Sequence, residues 1–360
     1  MALIDPLFEY MLESGASDLH LAEGNSPRVR LHGSVEDIPG WGPLDKEMIR
    51  SMLQEICFPP ERWDIYERTG DTDLAYALGT KARFRCNFNK QYGGYGAVFR
   101  TIPSRIKTLE ELGVPTVLRS FAYYRAGLVL VTGPTGSGKS TTLAAVINEI
   151  NANIARHILT IEEPIEFVHP PYLSNLAQRE VGIDAHSFAD ALTSASRQDV
   201  DVILVGEMRD LETISLAVTA AETGVLVFGT LHTNSATKTV DRIIDVFPSD
   251  QQNQIRQMLA VSLKAVCAQL LLKKKGGGRL AANEIMIQSR GVANCIREAK
   301  TIQLVSQILS GKALGMQLMD DCIEGFLQAD KIEGHEAYMK AVDKDRFRQY
   351  APIREGAAAH

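Results

Sequence analysis

The run Gly133-Pro134-Thr135-Gly136-Ser137-Gly138-Lys139-Ser140 restricts what this chain can fold into more than any other feature of its sequence. It fits GxxxxGK[ST], with an apolar run, Gly127–Thr132, before it and a helical pattern over 139–151 after it. Strand, glycine loop and helix in that order are the signature of a parallel α/β domain. The glycines let backbone N–H groups wrap a phosphate without Cβ clashes, and the helix N-terminus adds positive potential. In such a loop Lys139 neutralises the β- and γ-phosphates and Ser140 ligates Mg²⁺ through its hydroxyl, with Thr141 next in the nucleotide-binding run. ATP and Mg²⁺ are the expected cofactors.

The strand–loop–helix pattern then repeats. Apolar strands are expected at Gly127–Thr132, 157–161, Val202–Val205 and 225–229. The last three each deliver polar groups at the C-terminal end, where open α/β sheets bind their ligands. They run into Glu162-Glu163-Pro164-Ile165-Glu166, Gly206-Glu207-Met208-Arg209-Asp210 and Thr230-Leu231-His232-Thr233. A P-loop hydrolase needs an acid near Mg²⁺ and a group that orients or deprotonates water. A lone carboxylate after a strand is more often a cap or turn residue; three such strand ends beside a phosphate loop point to chemistry. Position alone assigns neither acid to the metal or to the water.

A chain of 360 residues suits two or three domains. Residues 1–105 read as an α+β domain closed by hairpins. Met48, Ile49, Met52, Leu53 and Ile56 follow helical spacing until Pro59-Pro60 stops them. Arg83, Arg85 and Arg100 flank β-like segments at 82–87 and 96–101, with a turn-rich stretch at 89–94 between them. Proline and glycine from Ile102-Pro103 to Gly113-Val114-Pro115 mark a linker at 106–115. The nucleotide-binding core then spans 116–285, a helical region 286–360, and 355–360 reads as a frayed end.

The net charge of -6 offers no global basic field for nucleic acid or an anionic membrane. No apolar stretch approaches the roughly 20 residues of a membrane span, and no targeting signal stands at the N-terminus. Five cysteines without a CxxC pair support neither a zinc ribbon nor a disulfide framework. A reduced, cytoplasmic enzyme is the simplest expectation. His20 reads as structural, Lys273-Lys274-Lys275 before Gly276-Gly277-Gly278 as a solvated hairpin turn, and Met316 and Met319 as core.

Further segments carry a resemblance over nearly the whole chain. They are Gly15-Ala16-Ser17-Asp18-Leu19-His20-Leu21, Ala82-Arg83-Phe84-Arg85 to Phe99-Arg100-Thr101-Ile102-Pro103, the Glu-rich segment at 162–166, the Walker B segment at 201–210, and the His box ending at His232. With the phosphate loop they resemble the PilT-type ATPases that retract bacterial type IV pili, within the secretion-ATPase superfamily. The resemblance implies a PAS-like N-terminal α+β domain joined to a RecA-like P-loop domain and C-terminal helices, assembled as a hexameric ring. It implies that Glu166 polarises the attacking water, Glu207 acts on Mg²⁺ through water, and His232 senses the γ-phosphate. Arg83, Arg85 and Arg100 occupy the region from which a neighbouring subunit supplies arginines. The partner implied is a pilus platform protein of the inner membrane, met at its cytoplasmic face.

The chain departs from the family pattern at Glu163, where an aspartate is usual, and at Val225, where an earlier histidine is usual. The run 196–201 and the retraction motif, here Gly291-Val292-Ala293-Asn294-Cys295-Ile296-Arg297-Glu298, also differ. The ATP chemistry is left intact. Pilus retraction therefore leads, with an accessory retraction paralogue or an extension or type II secretion ATPase as the alternative. Those extension relatives carry a tetracysteine zinc module and a further N-terminal domain, which are not expected here. A DNA translocase is disfavoured by the acidic balance, and a nucleotide-holding regulatory module by the set Lys139, Glu166, Glu207 and His232.

Overall fold

The computed structural model describes residues 2–31, 33–102 and 105–352. Its internal contacts divide into two compact units: Met1–Ile106 with Glu162–Val168 and Arg179–His186, and the remainder. The stretch 355–360, read above as a frayed end, lies outside the described residues, as does Pro103.

The first unit is built on an antiparallel sheet of β1 (Asp18–Ala22), β2 (Arg28–Leu31), β3 (Ser34–Asp37), β4 (Asp71–Leu78), β5 (Ala82–Gln91) and β6 (Gly94–Ile102), in the order β3-β2-β1-β6-β5-β4. The alternation in β5 dictates its faces. Ala82, Phe84, Cys86 and Phe88 are buried, while Arg83, Arg85, Asn87 and Asn89 between them are only partly covered. The buried face packs against helices; Phe8 of Asp5–Ser14 stacks on Phe84 at 4.1 Å and meets Phe99 edge-on at 5.1 Å. Helix Lys46–Ile56 starts where Asp45 accepts the Met48 N–H, and buries Ile49, Met52, Leu53 and Ile56 while Met48 stays exposed.

The second sheet, whose residues belong to the second unit except Glu162, Arg179 and Glu180, holds β7 (Gly127–Thr132), β8 (His157–Glu162), β9 (Asn175–Glu180), β10 (Val202–Val205), β11 (Leu226–Leu231), β12 (Leu263–Lys273) and β13 (Arg279–Ile287), in the order β13-β12-β7-β11-β10-β8-β9. Adjacent strands from β12 through β7, β11 and β10 to β8 run parallel. The four expected strands are present, and β9, β12 and β13 extend the sheet beyond them. The Lys274 N–H bonds the Gly278 carbonyl at the tip of the β12–β13 hairpin, and Lys275 pairs with Asp330 and Glu333. Within the stretch read as a linker, Leu109–Leu112 is a helix with a Thr108/Glu111 capping box, and Leu109 and Val114 enter the second core. Beyond β13 the chain is helical, and Met316 and Met319 are buried. Among the described residues no helix is long and apolar enough to cross a membrane.

One buried ion pair fixes the Glu-rich segment within the first unit. Arg62, on helix Glu61–Thr69, places Nη1 3.2 Å from Glu180 Oε1 and donates from Nη2 to the Val181 carbonyl at 3.0 Å. The other Glu180 oxygen accepts the Ile165 N–H at 3.1 Å, one residue before Glu166. Removing one partner of such a pair strands a buried charge and costs about 3–5 kcal/mol. We expect Arg62→Ala to lower unfolding stability by about that amount in chemical denaturation, and Arg62→Met with Glu180→Leu to cost clearly less. Equal losses from the single and double changes would show that the pair is not what holds this segment.

Candidate active site

All six residues of β7 are buried, so the loop that follows is delivered from the middle of the second sheet. Gly133 has φ 146°, and a Cβ there would sit 2.3 Å from the Gln269 carbonyl oxygen and 2.6 Å from Ser137 Oγ. Gly138, at φ 86°, is the N-cap of helix Lys139–Asn153, which therefore opens without a side-chain cap over its first N–H groups. Ser137 Oγ is buried and finds no hydrogen-bond partner among the described residues. Lys139 Nζ donates to the carbonyls of Gly133 at 2.8 Å and Pro134 at 3.2 Å, which draws the ammonium back over the loop. Ser140 is exposed and Thr141 half-buried on the first turn; Pro134, Thr135 and Gly136 are exposed at the rim. An orphan hydroxyl, an uncapped helix start, an ammonium and a cradle a Cβ would fill form a donor set for a phosphate chain.

The neighbouring strand ends bring Glu207 and His232 together. Val205 is in register with Gly229, and past the strand the Met208 N–H bonds the Thr230 carbonyl at 3.0 Å. Glu207 Oε1 lies 3.1 Å from His232 Nε2, and Arg209 reaches both carboxylate oxygens, at 2.6 and 2.7 Å. Burial works to raise the Glu207 carboxyl, but the Arg209 hydrogen bonds and charge, with Lys139 further off, outweigh it and hold it below the ordinary carboxylate value. The contribution of these contacts to stability is therefore present above that ordinary value and lost as pH falls through the depressed one. Asp210, in the same strand end, is a helix cap that accepts the Thr213 N–H at 2.8 Å.

Among the described residues no cluster of three or more His, Cys, Asp or Glu side chains could hold a metal ion. Mg²⁺ in general keeps several waters and takes few protein ligands beside substrate phosphates.

Glu166 lies in the first unit, with the arginines of β5. Arg85 Nη1 stands 3.4 Å from Glu166 Oε1, and Arg83 donates to the Ile165 carbonyl at 3.2 Å, while its buried Nε meets no partner among the described residues. Arg85 and Arg100 face each other across β5 and β6, and Arg100 is opposite Asp18 of β1. Arg100 Nε donates to Asp18 Oδ1 at 2.8 Å. Burial raises the Asp18 carboxyl, but bonds from Ser17 and Arg100 more than offset it and keep it below its usual value. His20, on the same strand, has its Nε2 buried without a partner among the described residues and is held less basic than usual by burial.

Reading the sequence passes over one residue against the loop, Gln269 of β12. Its signal is an amide in the middle of the apolar run that follows Lys264 in the strand Leu263–Lys273.

The chain matches known proteins along most of its length. It is 49% identical over 344 residues to the type IV pilus retraction ATPase PilT of Pseudomonas aeruginosa, covering 96% of this chain and 99% of that protein. It is 48% identical over 321 residues to a twitching motility protein of Neisseria gonorrhoeae, covering 89% and 85%. The crystal structure of the pilus retraction motor PilT with bound ADP matches the fold with a TM-score of 0.87 at 40% identity, over 97% of this chain and 99% of that one. The two-unit architecture, a helix-backed antiparallel sheet and a parallel P-loop sheet, is thus that of a secretion ATPase. With the Type II/IV secretion system protein profile matching residues 1–336, this chain belongs to that family.

Proposed function

We propose that this chain is a subunit of an ATP-hydrolysing hexameric ring that powers type IV pilus retraction, working on a platform protein at the cytoplasmic face of the inner membrane. The observation that carries the reading is its likeness, at 49% identity and over 96% of its length, to a pilus retraction ATPase. The phosphate cradle and the Glu207–His232 pair support the ATPase chemistry.

In this reading the loop and Lys139 hold the β- and γ-phosphates of ATP. Ser140 and Glu207 are the side chains that would hold Mg²⁺, which would supply positive charge to offset that of the phosphate oxygens. Glu166 accepts a proton from water as its oxygen attacks the γ-phosphorus. The bond from that phosphorus to the bridging oxygen breaks, and ADP leaves with inorganic phosphate. His232, bonded to Glu207, senses whether the γ-phosphate is present.

The two acids should separate in kinetics. Glu166→Gln keeps shape and loses the base, so we expect ATP and Mg²⁺ binding to persist with turnover about 10²–10⁴-fold slower. Glu207→Gln should instead raise the Mg²⁺ concentration needed for half-maximal turnover. Swapped phenotypes would reverse the two roles.

The biological role is tested in a deletion strain. Loss of a retraction motor leaves excess surface pili and no twitching, and a Lys139→Ala copy should not restore motility. A strain without pili would assign the chain to extension instead.

The Arg85–Glu166 pair favours a second reading of the arginines, in which Arg85 serves its own subunit's carboxylate rather than the adjacent nucleotide. Transition-state charge stabilised by an arginine supplied in trans is worth about 10³–10⁵ in rate. If Arg85 acts across the ring, mixing inactive Arg85→Ala and Lys139→Ala subunits should recover partial turnover, because some interfaces then carry both groups. No recovery, with subunit exchange demonstrated, would place Arg85 in its own subunit's site.

A further inference from the structure

We propose that Gln269 is a positioning residue for the phosphate loop: it fixes the peptide plane between Ser137 and Gly138 so that the Gly138 N–H points into the cradle. The proposal rests on the ATPase reading above and deepens it.

In a trans peptide the C=O of one residue and the N–H of the next point in opposite directions. A loop that aims N–H groups at a phosphate must therefore turn the preceding carbonyls away from it, and each of those needs a donor behind the loop. For Ser137 that donor is Gln269, whose Nε2 gives its hydrogen to the Ser137 carbonyl at 2.7 Å. The plane needs such a lock, because Gly138 at φ 86° has no Cβ to resist rotation of the peptide. A flipped plane would turn the Ser137 carbonyl toward the phosphates and the Gly138 N–H away.

The amide of Gln269 is itself aimed. Its Oε1 accepts from Thr142 Oγ1 at 2.9 Å and from Asn283 Nδ2 at 3.0 Å, so only the Nε2 end can face the loop. Gln269 and Asn283 are 1% and 0% exposed. Asn283, on β13, also donates to Cys267 Sγ at 3.3 Å. One buried amide thus joins the loop, the first turn of the helix after it, and two strands. A buried polar group this costly to satisfy is better explained by a task at the loop than by packing, which Leu or Met would serve.

The test is Gln269→Glu, which is isosteric, keeps both acceptor contacts and puts a carboxylate oxygen against the Ser137 carbonyl. Thr142→Val is the gentler partner, since it frees one side of the amide without touching the loop. Steady-state ATP turnover, binding of a fluorescent ADP analogue and thermal midpoint are measured for both beside the wild type. We expect Gln269→Glu to raise the ATP KM and weaken ADP analogue binding by about tenfold or more, with a smaller change in kcat. Thr142→Val should shift both in the same direction by a few-fold, with its melting temperature close to that of the wild type. Wild-type KM and analogue affinity in a folded Gln269→Glu, or a lowered melting temperature without a change in either, would overturn the proposal. If Gln269→Glu does not fold, an unchanged KM in Thr142→Val does so instead. A wild type that turns over no ATP would defeat the ATPase reading, whereas a wild type that turns over normally beside unaffected variants defeats only the role of Gln269.

Discussion

A phosphate-binding loop must turn several backbone N–H groups toward one point, and its carbonyls must then be satisfied on the other side. The second unit is organised around that demand. The loop leaves β7, whose residues are buried throughout, and enters a helix whose N-cap is a glycine. A Cβ on Gly133 would collide with the Gln269 carbonyl oxygen and Ser137 Oγ, and one on Gly138 would come within 3.0 Å of Gln269 Nε2, so the loop has glycine where β12 presses against it. The sheet order, with β12 beside β7 and β13 beyond it, puts a supporting strand directly behind the loop.

The carboxylates show how one side chain is put to different uses by its surroundings. Glu207 is partly covered but gripped by Arg209, and stays below its usual value. Glu284, on β13, forms no ion pair among the described residues, and burial pushes its carboxyl up even though it accepts the N–H of Ala236 at 2.8 Å and of Met319 at 3.4 Å. Those two N–H groups open helices Ala236–Asp245 and Met319–Gln328, so their dipoles meet at the Glu284 carboxyl. The first of these helices begins four residues after His232. Asn283 and Glu284, adjacent on one strand, therefore face opposite sides of the sheet, one toward the phosphate loop and one toward the helix that follows the histidine.

Much of this was legible in the residues. The loop pattern, the apolar run of β7 and the polar ends of β10 and β11 are local properties, each written in a few consecutive positions. The alternation of β5 likewise separates Phe84, Cys86 and Phe88 from Arg83 and Arg85 without reference to anything distant. Strands β12 and β13 were less legible, since an apolar run followed by a glycine turn and a mixed segment fits helix and strand alike. Their assignment depends on pairing, and pairing is not a local property.

That a glycine loop with lysine and serine follows an apolar strand, and that acids and a histidine end later strands, is written in the residues alone. Periodicity and motif spacing act over a handful of residues, and they suffice for that. Only the tertiary structure decided what each polar group does. Asp210 became a cap while Glu207, three residues earlier, met His232, and Glu180 became the buried partner of Arg62, 118 residues away. Gln269 met Ser137 across 132 residues. A charge or an amide takes its role from the partner that shares its burial, and that partner is chosen by the fold rather than by the neighbours in the chain.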